Sequence, residues 1–216
     1  MHWVISTPGR TGSNLIVQHL ASMGYKVFER HGTINNTCLI EAASRIDLIV
    51  THDHAMNSFK TSGDTSLCVS LRKDVFKQTC SGLISVRTKE FNSTQYNGVE
   101  EKFLFTTKEF DQILSLILFG GYLQAMQIEQ DRWKKSTIIF YEDLINMGIK
   151  EFCKETGMPY DNTSDWKYEK SQRQGPESII NYDELFKHYN KNHLEKVSKY
   201  LTDVENVRKN NRKGNE

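Results

Sequence analysis

Ser6-Thr7-Pro8-Gly9-Arg10-Thr11-Gly12-Ser13-Asn14 follows the short apolar run His2 to Ser6 and leads into Leu15, Ile16, Leu20 and Met23, which recur at helical spacing up to Gly24. An apolar run, a glycine turn and an amphipathic stretch closed by glycine make a strand-loop-helix unit. Such a loop turns backbone N–H groups and the positive end of a helix dipole toward one point, which suits a phosphate or sulfate. Arg10 adds permanent positive charge there, and Thr11, Ser13 and Asn14 add side-chain donors. The same pattern also occurs at ordinary tight turns between a strand and a helix. It lacks G-x-x-x-x-G-K-[ST], so it is not an ordinary ATP or GTP P-loop.

Outward from this unit, Tyr25 to Phe28, Leu48 to Thr51, Leu67 to Leu71 and Thr137 to Tyr141 read as strands. Between them, helical spacing appears over Leu39 to Ser44, over Val75 to Ile84, and from Thr107 to about Trp133, the last opened by a capping box of Thr106 and Glu109. Asp74 lies in the first turn of the second of these, where its charge suits the dipole. An amphipathic helix over Leu144 to Thr156 is stopped by Gly157 and Pro159. The alternation predicts an α/β fold with a central parallel sheet flanked by helices. Residues 88 to 105 turn polar and suggest an excursion over the sheet edge. One domain is expected over residues 1–205, with a tail at 206–216 that frays.

With 216 residues the chain is long enough for a single well-buried core. Its 28 Lys plus Arg against 27 Asp plus Glu leave a net charge of +1, without the one-sign field of a polyanion binder, so no nucleic-acid partner is expected. The longest charge-free stretch, Ile113 to Ile128, contains Gln124, Gln127 and two glycines and is shorter than the roughly 18 residues of a spanning helix, so no membrane partner is expected either. Met1 to Ile5 has no basic n-region, and cytoplasmic residence is the expectation. Cys38, Cys68, Cys80 and Cys153 lack C-x-x-C spacing and sit in apolar segments, which argues against a zinc knuckle or a disulfide framework.

Two more segments bear on chemistry. Arg72 stands where the Leu67 to Leu71 strand ends, and Ser81 follows nine residues later on the next helix, so both are within reach of an anion at the strand tip. Phe140-Tyr141-Glu142-Asp143-Leu144 follows the last β-branched run. In this order the three segments resemble the sulfotransferase family that uses 3'-phosphoadenosine 5'-phosphosulfate (PAPS). Its members carry a P-[KR]-[ST]-G-[ST] loop after the first strand, an Arg and a Ser flanking the 3'-phosphate, and a later Y-E-D-L. Arg45 to His52 is similar to the family's strand ending in K-T-H, and Lys170-Ser171-Gln172-Arg173-Gln174-Gly175 to its C-terminal loop. The likeness covers most of residues 2–185, thinly between motifs, and is nearer to short bacterial and phage-type members than to cytosolic animal ones.

The resemblance implies a P-loop-like sulfotransferase architecture that moves a sulfuryl group to a hydroxyl on a small molecule or carbohydrate, with PAPS as co-substrate and no metal. It implies that Arg10, Thr11, Gly12, Ser13 and Asn14 hold the 5'-phosphosulfate, that Arg72 and Ser81 hold the 3'-phosphate, and that Arg173 closes over the nucleotide. Gly9 separates Pro8 from Arg10, and the Arg-to-Ser spacing is nine where cytosolic relatives have eight, so Lys73 shares the assignment of Arg72. Arg10 is the candidate for stabilising the leaving oxygen. His52 is the first candidate for the base that takes the acceptor proton, and Glu29 the second. A P-loop kinase for a small metabolite and a catalytically degenerate nucleotide-binding protein are the alternatives.

Overall fold

The computed structural model describes residues 2–12, 15–16, 27–30, 48–51, 65–88, 101–129, 133–158, 160 and 175–213. Five parallel strands form its sheet: β1 (His2–Ser6), β2 (Val27–Arg30), β3 (Leu48–Thr51), β4 (Thr65–Leu71) and β5 (Ser136–Phe140), in the order β2-β3-β1-β4-β5. The α/β class and the parallel sheet expected from the sequence are therefore present. Described helices are α1 (Val75–Thr88), α2 (Thr107–Met126), α3 (Tyr141–Thr156), α4 (Tyr182–Asn192) and α5 (Leu194–Lys213), and Leu15 and Ile16 are helical as well. None of the described helices is long and apolar enough to cross a membrane.

Alternation along the strands sends neighbouring residues to opposite faces of the sheet, and each face has its own core. Val4, Leu67, Val69, Leu71 and Ile138 pack with Phe76, Phe110, Leu114, Leu185 and Tyr200, which come from α1, α2, α4 and α5. Ile5, Cys68 and Ile139 pack on the other face with Leu15, Ile16 and the α3 residues Leu144, Phe152 and Cys153. Burial pushes the thiols of Cys68 and Cys80 up to about 12 and that of Cys153 to about 11, so all three behave as small hydrophobes, as their apolar surroundings in the sequence suggested. Cys38 lies outside the described residues.

Several boundaries differ from the sequence reading. β2 starts two residues later than Tyr25, which puts Glu29 inside a strand, paired with Val50. The helix expected to reach Trp133 stops at Met126 and tightens into a 3-10 turn over Gln127–Glu129. There the Trp133 indole donates to the Gln127 carbonyl (2.9 Å) and the Ser136 hydroxyl to that of Ile128 (3.1 Å), so side chains from the next segment satisfy carbonyls that a longer helix would have used. Tyr141 opens α3 instead of ending β5. The tail expected from Asn206 starts within α5, which runs to Lys213, and Asn211 Nδ2 donates to the Ser136 carbonyl at 2.6 Å.

The capping box is present, with Thr106 Oγ1 accepting from the Glu109 amide (3.2 Å) and Glu109 Oε2 from the Thr106 amide (2.8 Å). These hydrogen bonds to Thr106, only weakly opposed by burial, hold the Glu109 carboxyl below its ordinary range. Just before it, Phe103 pairs with Ile179 in an isolated bridge and is buried, as is Phe105, so this end of the excursion is anchored into the core. The helix expected over Leu39 to Ser44 and Pro159 lie outside the described residues.

Candidate functional site

Strand order fixes where a ligand site can form. From β1 the chain proceeds to β2 on one side of the sheet, and from β4 it proceeds to β5 on the other, so the segments leaving these adjacent strands diverge. In open α/β sheets the crevice beyond such a divergence, at the carboxyl ends of the strands, is the usual ligand position. The Thr7–Gly12 loop and the Arg72-Lys73-Asp74 turn both lie there.

The loop is tightly wound, with left-handed backbone at Gly9 (φ 86°), Arg10 (φ 60°) and Gly12 (φ 81°). Arginine pays a steric penalty in that region which glycine does not, so surrounding contacts must hold Arg10 in place. One such contact is visible: Arg10 Nε donates to Ser81 Oγ on α1 at 2.8 Å. Gln78, one helical turn before Ser81, donates from Nε2 to the Gly9 carbonyl at 2.7 Å. Inside the loop the Gly9 amide donates to Thr7 Oγ1 (3.1 Å), and the hydroxyls of Thr7 and Thr11 hydrogen-bond each other. Ser70 Oγ, on β4, donates to the Thr11 carbonyl at 2.9 Å. Thr11 is fully buried, so its hydroxyl braces the loop from within.

Tyr141-Glu142-Asp143-Leu144 buttresses both other segments. The Tyr141 ring lies so close to Gly12 that a Cβ at that position would sit 2.4 Å from Tyr141 Cδ2. The Arg72 guanidinium carbon lies 5.0 Å from the centre of the same ring. Glu142 accepts the amides of Lys73 (2.8 Å) and Asp74 (3.1 Å), which fixes the turn after β4. Asp143 binds Lys73 Nζ at 2.6 Å and Arg208 Nη1 at 2.9 Å. Burial pushes its carboxyl up, but the hydrogen bonds and charges of Lys73 and Arg208 together outweigh that and hold it below its ordinary range. Leu144 is core.

Between the two cations considered at the β4 tip, geometry discriminates. Lys73 is committed to Asp143 and lies over the Phe140 ring at 5.2 Å. Arg72 keeps a buried Nε without a hydrogen bond; Glu142 Oε1 at 3.5 Å is within ion-pair range but makes no hydrogen bond to it. The Ser6 hydroxyl at the end of β1 is likewise buried without a hydrogen-bond partner. Arg72 with its buried, unbonded Nε, Arg10 in the loop and the unbonded Ser6 hydroxyl at the end of β1 are donors of the kind that suits a phosphate-type anion.

Thus Arg10, Thr11, Gly12, Arg72 and Ser81 converge at the ends of β1 and β4. Ser13, Asn14, His52 and Arg173 lie outside the described residues. Glu29 stands in β2 level with Val50, and Val50 with Ile5. That register puts its backbone two strands from β1, or about 10 Å. Sequence reasoning gave Gln78 and Ser70 no part in the site and set Tyr141 apart only as a member of the third segment, without a role; Gln78 carried a signal, being a polar residue three before Ser81 and so on the same face of α1. No family model, no curated protein and no solved structure matches the chain.

Proposed function

We propose that the protein is a sulfotransferase that moves the sulfuryl group of PAPS to a hydroxyl on a small molecule or carbohydrate. The observation that carries this reading is convergence: three sequence segments that resemble the family's motifs in order also meet in space, through Arg10–Ser81, Gly12–Tyr141 and Arg72–Tyr141. The strand order and parallel sheet are compatible with a P-loop-like architecture, and the crevice beyond β1 and β4 suits a nucleotide.

In the proposed reaction the acceptor oxygen forms a bond to sulfur while the bond from sulfur to the phosphate oxygen breaks, leaving its electron pair on that oxygen. Arg10 is the proposed counter-charge for the leaving oxygen; losing such a donor costs about 10²- to 10³-fold in rate. Arg72 and Ser81 are the proposed partners of the 3'-phosphate. The acceptor proton passes to His52, with Glu29 as the other candidate base.

Calorimetry with 3'-phosphoadenosine 5'-phosphate, AMP and ATP tests the nucleotide assignment. The first should bind tightest, and Arg72→Ala should weaken it about 10- to 100-fold with little effect on AMP. Equal affinities would overturn the reading. Transfer of label from PAPS to a panel of sugar and phenol acceptors then tests the activity, and tight binding without transfer to any of them would favour a degenerate binding protein.

A further inference from the structure

A second cluster, none of whose members belongs to the site above, lies where α2 meets the α4–α5 junction. Asp111 comes from α2, His188 from α4, and His193 is the residue between α4 and α5. Asp111 Oδ1 is 2.8 Å from His188 Nε2 and 2.7 Å from His193 Nε2, and the two Nε2 atoms are 3.4 Å apart. Side chains of the histidines are 21% and 17% exposed, so the cluster is sheltered yet open to an entering ion.

From this arrangement we infer a zinc-binding site formed by Asp111, His188 and His193, which clamps α4 and α5 onto α2. Zinc takes imidazole nitrogen at about 2.0–2.1 Å in tetrahedral geometry, and two such ligands stand roughly 3.3–3.4 Å from each other, the separation these nitrogens already have. The carboxylate oxygen sits closer to both nitrogens than a fellow ligand would, and a withdrawal of about 0.5 Å admits the ion. Three protein ligands leave a fourth position for water. Two imidazoles and one carboxylate also select a transition metal over magnesium or calcium, which prefer all-oxygen shells.

Two surrounding features bear on assembly. The His193 amide donates to the Tyr189 carbonyl (2.8 Å) and its carbonyl accepts from the Val197 amide (2.9 Å), so its backbone is fixed by both helices it joins. His188 is held from behind, with Asn192 Nδ2 3.0 Å from its Nδ1 and its ring edge-on to Phe110. Ligation through Nε2 leaves the proton on Nδ1, so binding requires Asn192 to turn its amide oxygen toward that proton.

The full chain, stripped with EDTA and dialysed, is titrated with Zn²⁺ by calorimetry and with Co²⁺ by visible absorption. One equivalent should bind, Co²⁺ should give the intense visible bands of a tetrahedral site, and Zn²⁺ should raise the melting temperature. His188→Gln and His193→Gln keep a side-chain amide able to hydrogen-bond Asp111 and so preserve the fold, which the metal-free melting temperature checks. Each should weaken Zn²⁺ at least about 100-fold and abolish the Co²⁺ bands. Should wild type show no saturable binding, or the two variants bind as wild type does, the site is overturned. Asp111→Asn, nearly isosteric, provides a third variant and should remove the thermal shift. The outcome is independent of nucleotide binding.

Discussion

Arg10 Nε and Ser81 Oγ are hydrogen-bonded at 2.8 Å although 71 residues separate them in the chain. The contact joins the loop after β1 to α1, the helix that follows β4, across the divergence of the two chain directions. It also binds a residue assigned to one end of a nucleotide to a residue assigned to the other. A single anion pocket, rather than two separate ones, is the arrangement this contact favours.

That arrangement predicts coupling. Arg10→Ala and Ser81→Ala should each weaken 3'-phosphoadenosine 5'-phosphate, and the double variant should lose less than the sum of both, with an interaction energy of about 0.5–3 kcal/mol. Calorimetry on the four proteins measures it. Strict additivity would mean that the two side chains serve independent contacts and that their hydrogen bond is a feature of the free protein alone.

Gly12 is required for two separable reasons, its left-handed backbone and the Tyr141 ring against it. Gly148, in the kink of α3, has a similar φ of 76° but nothing within 4 Å of its missing Cβ. With ψ 168° Gly148 lies in a region that is essentially glycine's alone, so Gly148→Ala should cost about 1–3 kcal/mol of backbone strain with no clash added. Gly12→Ala should combine its own backbone strain with about 1–3 kcal/mol of overpacking against Tyr141. Denaturant unfolding of both variants, repeated with Tyr141→Ala in the Gly12→Ala background, checks the division, since removing the ring should recover the overpacking part only. No recovery beyond the cost of Tyr141→Ala measured alone would show that the ring yields without cost.

These contacts mark how far the sequence was legible. β1 and β3 announce themselves as continuous apolar runs, and in β1 Val4 and Ile5 are buried in opposite cores, since a strand covered on both faces needs apolar side chains in both directions. β2 lies at an end of the described strand order and contains Glu29 and Arg30, so pairing with β3, and not composition, sets its limits. The end of α2 depends on Trp133 and Ser136 reaching back to carbonyls, and the persistence of α5 on Asn211 meeting Ser136; both are tertiary events without a local signature. Within the site, Arg10 and Arg72 were readable as donors after strand ends and Ser81 as one on the helix that follows. Tyr141 was not readable as the ring that packs on Gly12, since that needs the register of β5 against β4. His188 and His193 are only five residues apart, a spacing legible in the sequence, but Asp111 lies 77 and 82 residues from them, and only the packing of α2 against the α4–α5 junction brings it to them.

Asp74 immediately precedes α1 and its Oδ1 accepts from the Lys77 amide at 2.9 Å, the geometry of an N-cap. Its role is therefore a specific hydrogen bond in addition to the dipole interaction expected from the sequence. Asp74→Ala should cost about 1 kcal/mol in chemical denaturation, whereas Asp74→Asn, which keeps the acceptor, should cost almost nothing. An equal loss in both would assign the effect to charge, through the dipole and the exposed ion pair with Lys77.

Asp143 links the turn after β4 to α5 by holding Lys73 and Arg208, and those two cations keep its carboxyl below the ordinary range against the opposing effect of burial. A depressed folded value means that the unfolded chain binds the proton more readily, so the stabilisation is complete above the ordinary aspartate range, near 4, and is lost as pH falls through the folded value. At neutral pH Asp143→Asn should destabilise by about 1.5–3 kcal/mol, because Arg208 is largely buried and keeps only its longer contact with Glu205 (3.5 Å). Below the folded value both proteins carry a neutral side chain at this position, and their stabilities should converge. Urea unfolding of wild type and variant from pH 7 downward follows the difference directly. A gap that stays constant across that range would mean that the carboxylate is not charge-coupled to Lys73 and Arg208 in solution, and that the substitution acts through packing or hydrogen-bond geometry alone.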